Sequence, residues 1–300
     1  MAQDSILKRK AQKAKMAKLL LIKGDALEVL RYVPSAEIDL VITDPPFMIS
    51  RDDKITRRKN STKYKFKGKD ISLNFGEWDI FASEKDYWKF TFKWLREIWR
   101  TLRKGGHLLI FFDHNKIYPI IKWCSRRSGI PRQPLFFIRS NPTPMARKVS
   151  FMNAVNSIIW ITKYSTSRRC ATFNYELGQH PNYIITPICS GKERYEYGFH
   201  PTQKPLKVYE WLIKYLSNEE DLIIDPFVGS GTALVAARNL NRNAIGIEIN
   251  DEYINMAKRR VTPEQRDLFG NFEFYIHDWQ TSSQAIISEF ISKLQKPKSI

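Results

Sequence analysis

Cysteine is scarce in this chain. Its 300 residues include only Cys124, Cys170 and Cys189, an odd and widely spaced set. Such a set does not form a disulfide framework, and no Cys-x-x-Cys pair offers a metal site. We therefore expect three ordinary thiols, a reducing cytoplasmic environment and no bound metal.

Long apolar runs are missing as well. No stretch reaches the roughly 18 apolar residues that a transmembrane helix needs, and residues 1–18 are polar and basic, without the apolar core of a secretory signal. We therefore expect no membrane partner. Apolar residues still make up 43% of the chain, so one large domain, or one domain with an insertion, can bury a sizeable core.

Acidic residues are fewer than basic residues in this chain. Asp and Glu number 31 against 49 Lys and Arg, which gives a net charge of +18. An excess of this size indicates a polyanionic partner, most often nucleic acid. Lys or Arg occupies nine of the nineteen positions at 51–69 and six of the eleven at 8–18. Clustering favours contacts with phosphate, although basic loops are often simply solvated.

Short apolar runs alternate with helical patterns along the chain, which predicts an α/β fold. We expect a mostly parallel, twisted sheet with helices on both faces. The predicted strands are 19–22, 38–43, 108–112, 134–139, 156–163, 222–225, 244–248 and 272–276. The predicted helices are 84–103, 116–128, 205–216, 232–240 and 251–260, and Gly105-Gly106 is expected to end the first of them.

Acidic side chains follow the predicted strands. Asp25, Asp44, Asp113, Asp225 and Glu248 each lie at or just past a strand end. Ligands of open α/β sheets bind outside the carboxyl ends of the strands. These residues therefore predict a pocket on one edge of the sheet.

A glycine-rich turn, Asp-Pro-Phe-Val-Gly-Ser-Gly-Thr, occupies residues 225–232. Gly229 and Gly231 let the backbone approach a ligand closely, and the following helix N-terminus suits an anionic group. Glu248 ends the next strand, at a spacing that suits an acid binding a ribose diol. Leu234 stands where a dinucleotide fingerprint has its third glycine, which weakens NAD binding. From these residues alone, NAD and S-adenosylmethionine both remain open.

An Asp-Pro-Pro-Phe motif follows the second predicted strand, at residues 44–47. Its prolines cannot donate backbone hydrogen bonds, so they stiffen a turn whose carbonyls remain free acceptors. The Asp44 carboxylate and such a carbonyl could together accept the hydrogens of an amino group, and Phe47 offers a flat surface for a base. The alternative is a loop in which Pro-Pro merely ends the strand.

Taken together, these residues resemble the beta class of DNA amino-methyltransferases, which methylate N6 of adenine or N4 of cytosine. The motif at 44–47 precedes the turn at 225–232, which is the permuted order of that class, and His-Pro-Thr-Gln-Lys-Pro at 200–205 matches the segment just ahead of the turn. Gly24-Asp25, residues 74–79 and residues 141–144 with 158–160 resemble further elements. The resemblance covers roughly residues 19–262.

The chain departs from the family pattern at two places. Phe137-Ile138-Arg139 stands where the family often has an aromatic residue, any residue and then a lysine ahead of Asn-Pro. Asn156-Ser157 replaces an acidic residue that is common before the last apolar strand. Both lie outside the 44–47 motif, so they affect the details of substrate binding and leave the catalytic motif intact.

The resemblance implies a Rossmann-like methyltransferase fold with a circularly permuted motif order. It implies transfer of a methyl group from S-adenosylmethionine to adenine N6, by base flipping and direct in-line attack. Asp at the first motif position favours adenine, with cytosine N4 as the close alternative. An RNA amino-methyltransferase, a nicotinamide-dependent oxidoreductase and a catalytically silent DNA-binding relative are weaker alternatives.

Site residues carry over from the family by position. The catalytic residues implied are Asp44, Pro45, Pro46 and Phe47. The cofactor-binding residues implied are Asp25, Asp44, His200, Thr202, Gln203, Lys204, Asp225, Phe227, Gly229, Ser230, Gly231, Thr232 and Glu248. In this scheme Lys204 pairs with the cofactor carboxylate, Glu248 holds the ribose diol and Asp25 lies near the adenine.

The same resemblance implies the domain organisation. We expect a basic arm at 1–18, a catalytic domain at 19–163 and 199–280 with a basic loop at 48–79, a target-recognition insertion at 164–198 and a tail at 281–300. The DNA contacts expected are Arg51, Arg57, Arg58, Lys59, Arg168, Arg169, Lys192 and Arg194. Double-stranded DNA is the implied partner, and a homodimer and a cognate restriction endonuclease are further partners that the class allows.

Overall fold

The computed structural model describes residues 16–48, 54–55, 71–72, 79–143, 149, 151–166, 171–262, 272–279 and 285–294. Its strands are β1 Ala17–Lys23, β2 Ile38–Thr43, β3 Lys54–Ile55, β4 Ile71–Ser72, β5 Leu102–Phe112, β6 Gly129–Pro131, β7 Leu135–Arg139, β8 Val155–Lys163, β9 Tyr183–Thr186, β10 Leu222–Asp225, β11 Asn243–Glu248 and β12 Phe272–Asp278. Its α-helices are α1 Ala26–Val29, α2 Glu84–Thr101, α3 Ile117–Ser125, α4 Gly191–Tyr195, α5 Leu206–Leu216, α6 Thr232–Asn239, α7 Asp251–Val261 and α8 Ala285–Ser292.

One large sheet carries the site. Its strands follow the order β12-β1-β11-β10-β2-β5-β8-β7-β9, and β6 pairs with β8. The pairings from β12 to β5 are all parallel. β8 runs antiparallel to β5, β6 and β7, whereas β9 is parallel to β7. The prediction of a mostly parallel sheet is confirmed.

Both faces of the sheet are covered by helices, as predicted. Side chains alternate across a strand, so Leu20 and Ile22 of β1 face one side while Leu19 and Leu21 face the other. The first pair shares a buried cluster with residues of α1, α2, α3 and α8, among them Trp94. The second pair shares a cluster with α5, α6 and α7. The Trp-rich helix is therefore core, as its spacing indicates.

The prediction that Gly105-Gly106 ends this helix is wrong. Helix α2 ends at Thr101, and the two glycines lie within β5. Strand β2 pairs through Ile38 with Leu102 but through Leu40 with His107, so β5 bulges between these pairs. Gly105 has a φ of 81°, and a Cβ on Gly106 would lie 2.9 Å from the Asp39 carbonyl oxygen. Glycine is therefore required here by the β-bulge and not by the end of a helix.

Residues 164–198, the predicted target-recognition insertion, contribute a strand to the sheet. β9 forms its edge against β7. His107 Nε2 lies 2.7 Å from the Thr172 carbonyl oxygen, and the Asn174 amide donates to the carbonyls of Lys214 and Ser217. The described residues of this segment are therefore attached to the main sheet and to the end of α5. Its role in target recognition stays a prediction.

Several sequence-based expectations lie partly outside the described residues. The basic arm is described only at 16–18, and the loop at 48–79 only at its ends and in the antiparallel pair β3–β4. Cys124 and Cys189 are buried thiols whose pKa burial raises to about 12, and Cys170 is not described. Within the described ranges, no helix is long and apolar enough to cross a membrane.

Candidate functional site

A cavity of about 640 Å³ opens at the carboxyl ends of β1, β2, β10 and β11. This volume falls within the range of small-molecule sites. Twelve predicted site residues line it: Asp25, Asp44, Pro46, His200, Thr202, Gln203, Lys204, Phe227, Gly229, Ser230, Thr232 and Glu248. The fold thus brings together five segments of the sequence, at 25, 44–46, 200–204, 227–232 and 248.

The remaining predicted site residues, Pro45, Phe47, Asp225 and Gly231, do not line this cavity. Phe47 packs edge-on against Phe112, with ring centroids 5.8 Å apart. Gly231 packs against α7, where a Cβ would lie 2.8 Å from the Cβ of Ala257. These two residues therefore support the site without lining the cavity themselves.

Glu248 ends β11 with both carboxylate oxygens bound to backbone. Oε2 accepts from Gly229 N at 2.9 Å, and Oε1 accepts from Ile249 N at 3.0 Å and Asn250 N at 2.8 Å. Burial raises the pKa of Glu248, and the three hydrogen bonds oppose that shift. Its carboxylate is held in one orientation at the cavity wall.

The glycine-rich turn needs glycine at its first position for two reasons. Gly229 has a φ of 50°, a conformation that side chains with a Cβ rarely adopt. A Cβ at Gly229 would also lie 2.9 Å from His200 Nε2. The turn and the histidine therefore lie too close together for a side chain at position 229.

His200 forms part of the wall as a neutral ring. It is 9% exposed and packs against Tyr253, with ring centroids 4.3 Å apart and the ring planes tilted by 53°. Burial, followed by the charges of Lys204, Arg260 and Arg194, lowers its pKa to about 3. Its Nδ1 atom is buried and has no hydrogen-bond partner among the described residues. One buried nitrogen of this ring is therefore unsatisfied within the described part of the chain.

Asp25 stands at the start of α1 as its N-cap. Its Oδ1 accepts from Leu27 N at 2.7 Å, which fixes the side chain beside the cavity. Gly24 N donates to the Glu248 carbonyl oxygen at 2.9 Å, so the ends of β1 and β11 are joined at this point.

Asp44 is held by one oxygen only. Its side chain is 14% exposed, and Lys204 Nζ donates to its Oδ2. Its Oδ1 is buried and has no partner within the described part of the chain. Burial raises the pKa of Asp44, and the adjacent Lys204 ammonium opposes that shift. One carboxylate oxygen is thus oriented while the other keeps its acceptor capacity.

The backbone after Asp44 is braced by two residues that sequence reasoning did not assign. Asp79 Oδ1 accepts from Phe47 N at 2.6 Å and Met48 N at 2.7 Å, and Lys116 Nζ donates to Phe47 O at 2.9 Å. Asp79 ends the segment 74–79, whose resemblance to a family element was the available signal; residues 74–78 are outside the described ranges. Lys116 carried no such signal.

Asp225 joins the two motifs from beneath the cavity. Its Oδ1 accepts from Thr43 Oγ1 at 2.8 Å and from Phe227 N at 3.1 Å. Burial raises its pKa to about 7. The end of β2 and the start of the glycine-rich turn are therefore tied through one carboxyl group.

Arg260, on α7, braces the same turn and was missed by sequence reasoning. Its Nη1 donates to Ser230 O and Ser230 Oγ at 2.8 Å and to Thr232 Oγ1 at 2.9 Å. Arginine in a helix carries no motif signal, so only the packing of α7 on the turn reveals this role.

Two of the eight predicted DNA contacts lie within the described residues, Lys192 and Arg194 of α4. Arg194 Nη2 lies 3.3 Å from the Pro201 carbonyl oxygen, and its guanidinium lies 4.8 Å from the centroid of Phe199. Gln203 Nε2 donates to Glu193 O at 2.7 Å, so α4 is fastened to the cavity wall. The others, Arg51, Arg57, Arg58, Lys59, Arg168 and Arg169, lie outside the described residues.

Known proteins resemble this chain in sequence and in fold. A model of the DNA methylase family of N6 and N4 methyltransferases matches residues 38–259. The type II methyltransferase M.HinfI of Haemophilus influenzae is 31% identical over 262 residues, covering 83% of this chain and 70% of that protein. The M1.HpyAVI-SAM complex has a TM-score of 0.61 at 23% identity, covering 81% of this chain and 99% of that one. PvuII DNA methyltransferase (cytosine-N4-specific) also has a TM-score of 0.61, at 19% identity, covering 94% and 95%.

Proposed function

The chain belongs to the DNA methylase family of N6 and N4 methyltransferases, and on this premise we propose that it transfers a methyl group from S-adenosylmethionine to N6 of adenine in double-stranded DNA. The predicted resemblance to DNA amino-methyltransferases is thereby confirmed. The choice of adenine is the finer step, and it rests on Asp44 at the first position of the 44–47 motif.

The observation that carries this proposal is the state of the Asp44 carboxylate. An exocyclic amine is a weak nucleophile because its lone pair is delocalised into the ring. A buried acceptor without a partner, such as Asp44 Oδ1, suits one of its hydrogens. We assign the second hydrogen to the Pro45 carbonyl, next along the rigid Pro-Pro turn. Fixing the amine in this way favours the geometry of in-line attack.

The cavity fits the cofactor that this family uses. S-adenosylmethionine supplies an activated methyl group on a sulfonium. The Glu248 carboxylate, fixed by three backbone N–H groups, is placed to accept hydrogen bonds from ribose hydroxyls. Asp25 and the buried, unpartnered Nδ1 of His200 add polar atoms at the same cavity. Glycine at position 229, which the nearby His200 requires, leaves the turn without a side chain at this point.

Base flipping is part of the proposal, because the target amine lies within the duplex stack. The braces from Asp79 and Lys116 hold the 44–48 backbone, so the acceptors need not move when the base arrives. We assign Phe47 as the surface on which the flipped base stacks. The Phe47 ring would meet the base from its place beside Phe112.

The net charge of +18 supports DNA as the partner. Because phosphate contacts release counterions, DNA affinity should fall steeply as salt rises. A binding titration between low and high salt measures this slope, and a flat dependence would count against phosphate contacts by the basic segments. DNA as substrate also favours the cytoplasm as the compartment. A homodimer and a cognate restriction endonuclease remain predicted partners.

One assay tests the proposed function. The full chain is incubated with unmethylated DNA and labelled S-adenosylmethionine, and the DNA is digested to nucleosides for mass spectrometry. We expect N6-methyladenine. N4-methylcytosine would assign the alternative base, and absence of any methylated nucleoside, together with tight NAD binding, would overturn the proposal.

A further inference from the structure

Lys204 lines the cavity, and its side chain makes a contact that its motif does not reveal. Family resemblance gives it to the cofactor carboxylate, but in the structure its Nζ donates to Asp44 Oδ2. The two residues are 160 positions apart in the chain and meet at the cavity wall. Their side chains are 11% and 14% exposed, so solvent screens this ion pair weakly.

We propose that Lys204 is a positioning residue for Asp44: it holds Oδ2 and keeps the carboxylate ionised, so that Oδ1 faces the substrate amine as an acceptor. This inference rests on the proposed function, since the amine is the substrate of that reaction. It replaces the pairing of Lys204 with the cofactor carboxylate.

The ammonium of Lys204 is fixed on several sides. Besides Asp44, it donates to the Thr202 carbonyl oxygen at 3.3 Å. Its Nζ lies 5.6 Å from the ring centroid of Phe47 and 5.5 Å from that of Phe111. Cations are attracted to aromatic faces at such distances. The surroundings of Lys204 therefore hold its charge next to Asp44.

The groups around Asp44 show why the ion pair matters for the ionisation of its carboxylate. Asp79 and Asp225 are carboxyl groups whose charges interact with Asp44, and Tyr209 is a buried phenol beside it. Like charges and burial both disfavour an ionised carboxylate, and His200 is neutral at working pH. Lys204 is the cation that opposes them. A protonated Asp44 would turn one acceptor oxygen into a donor, which an amine with two hydrogens does not need.

The test removes the charge of Lys204 and follows Asp44 directly. Lys204→Met and Lys204→Gln remove it, Lys204→Arg keeps it, and Lys207→Met removes an exposed charge from the start of α5 as the matched control. The protein is labelled with 13C-carboxyl aspartate, and Asp44→Asn assigns the Asp44 signal. The titration midpoint of Asp44 is measured without cofactor or DNA.

We expect Lys204→Met and Lys204→Gln to raise the Asp44 midpoint, and Lys204→Arg and Lys207→Met to leave it near the wild-type value. The acidic limb of the pH profile of kcat should move up in the same two neutral variants. Affinity for S-adenosylmethionine, measured by calorimetry, should change by less than about threefold, because the cofactor carboxylate is not the partner of Lys204.

An unchanged Asp44 midpoint in the neutral variants, with cofactor affinity at least about tenfold weaker, would overturn the proposal and return Lys204 to the cofactor. Two neutral variants guard against one that fails to fold. Because the titration is measured on the protein alone, it stays informative if no DNA is methylated. A shifted midpoint without methyl transfer would sustain the ion-pair role and contradict the proposed reaction.

Discussion

Asp44 and Glu248 both follow parallel strands and both line the same cavity, yet their carboxylates are held in opposite ways. Glu248 accepts three backbone N–H groups, shared between its two oxygens. Asp44 is held through Oδ2 by the side chain of Lys204, while its Oδ1 has no partner among the described residues. Burial raises the pKa of each, but a different chemistry opposes it in each case.

This difference suits the two carboxylates to different tasks. The backbone N–H groups that bind Glu248 cannot move away without disrupting the glycine-rich turn and the end of β11, so this carboxylate suits a constant task, the binding of a cofactor diol. Asp44 keeps one acceptor open, which suits a group that must receive new hydrogens in each turnover. Asp225 is an intermediate case, because one side-chain donor and one backbone donor share its Oδ1.

Removal of the Asp44 carboxylate should have the largest effect on methyl transfer. Asp44→Ala deletes the open acceptor, so we expect methyl transfer to fall by about 100- to 10,000-fold. Cofactor affinity should stay nearly unchanged. Single-turnover transfer measures the first and calorimetry the second. Asp113→Ala, at the end of β5 and outside the cavity lining, is the matched control. Wild-type-like turnover by Asp44→Ala would refute its assigned role.

Glu248→Gln should give the opposite pattern. A Gln amide has one acceptor oxygen, so at least one of the three backbone donors loses its partner. Hydrogen bonds to a charged group contribute about 1.5–3 kcal/mol, so loss of the carboxylate charge that faces the ribose hydroxyls should weaken cofactor binding roughly 10- to 100-fold. Transfer at saturating cofactor should change far less. Calorimetry with S-adenosylmethionine checks this, and an unchanged Kd would show that Glu248 does not hold the cofactor.

Gly229→Ala tests the turn that carries one of the donors to Glu248. The positive φ alone costs about 1–2 kcal/mol with a Cβ, and the Cβ also meets His200. We expect a Tm lower by about 2–8 °C and weaker cofactor binding. Gly191→Ala is the control, because Gly191 has a φ of 55° with open space around it. Equal effects of the two variants on cofactor binding would mean that the close approach to His200 does not matter.

Asp225 gives the smallest and most specific effect, a pH dependence of stability. Burial raises its folded pKa to about 7 from an ordinary 3.8, so the folded protein retains a proton that the unfolded chain releases. That contribution is present below the ordinary pKa and is lost as the pH rises through about 7, with a slope of at most about 1.4 kcal/mol per pH unit. Asp225→Asn keeps the acceptor oxygen and removes the ionisation.

Thermal unfolding of Asp225→Asn and wild type at pH 5 and pH 8 measures this. The variant should gain stability relative to wild type as the pH rises. A difference that is the same at both pH values would contradict the raised pKa of Asp225.

Local patterns predicted the framework well. The strands at 38–43 and 222–225 match β2 and β10 residue for residue, because runs of apolar side chains buried on both faces are visible in the sequence. Motif order also placed Asp44 and Glu248 beside one pocket. The glycines at 105–106 led to a wrong prediction of a helix end, because a glycine pair is found at a β-bulge as readily as at the end of a helix.

Long-range side-chain contacts were beyond such patterns. Nothing local in the sequence pairs Lys204 with Asp44, seats Arg260 on Ser230 or aims Asp79 at the backbone of Phe47. Each contact joins segments that meet only when the sheet and its helices have packed. The edge strand β9 was missed for a similar reason, because its four residues have buried and exposed side chains in an otherwise polar segment.

Asp44 and Glu248 are assigned different tasks, one toward the substrate amine and the other toward the cofactor. Single-turnover methyl transfer to DNA at saturating S-adenosylmethionine, compared between Asp44→Ala and Glu248→Gln, tests this difference most directly. We predict that transfer collapses in Asp44→Ala and stays near the wild-type rate in Glu248→Gln once cofactor is saturating. Equal loss of transfer in the two variants, or a rate that survives in Asp44→Ala, would contradict the assignment.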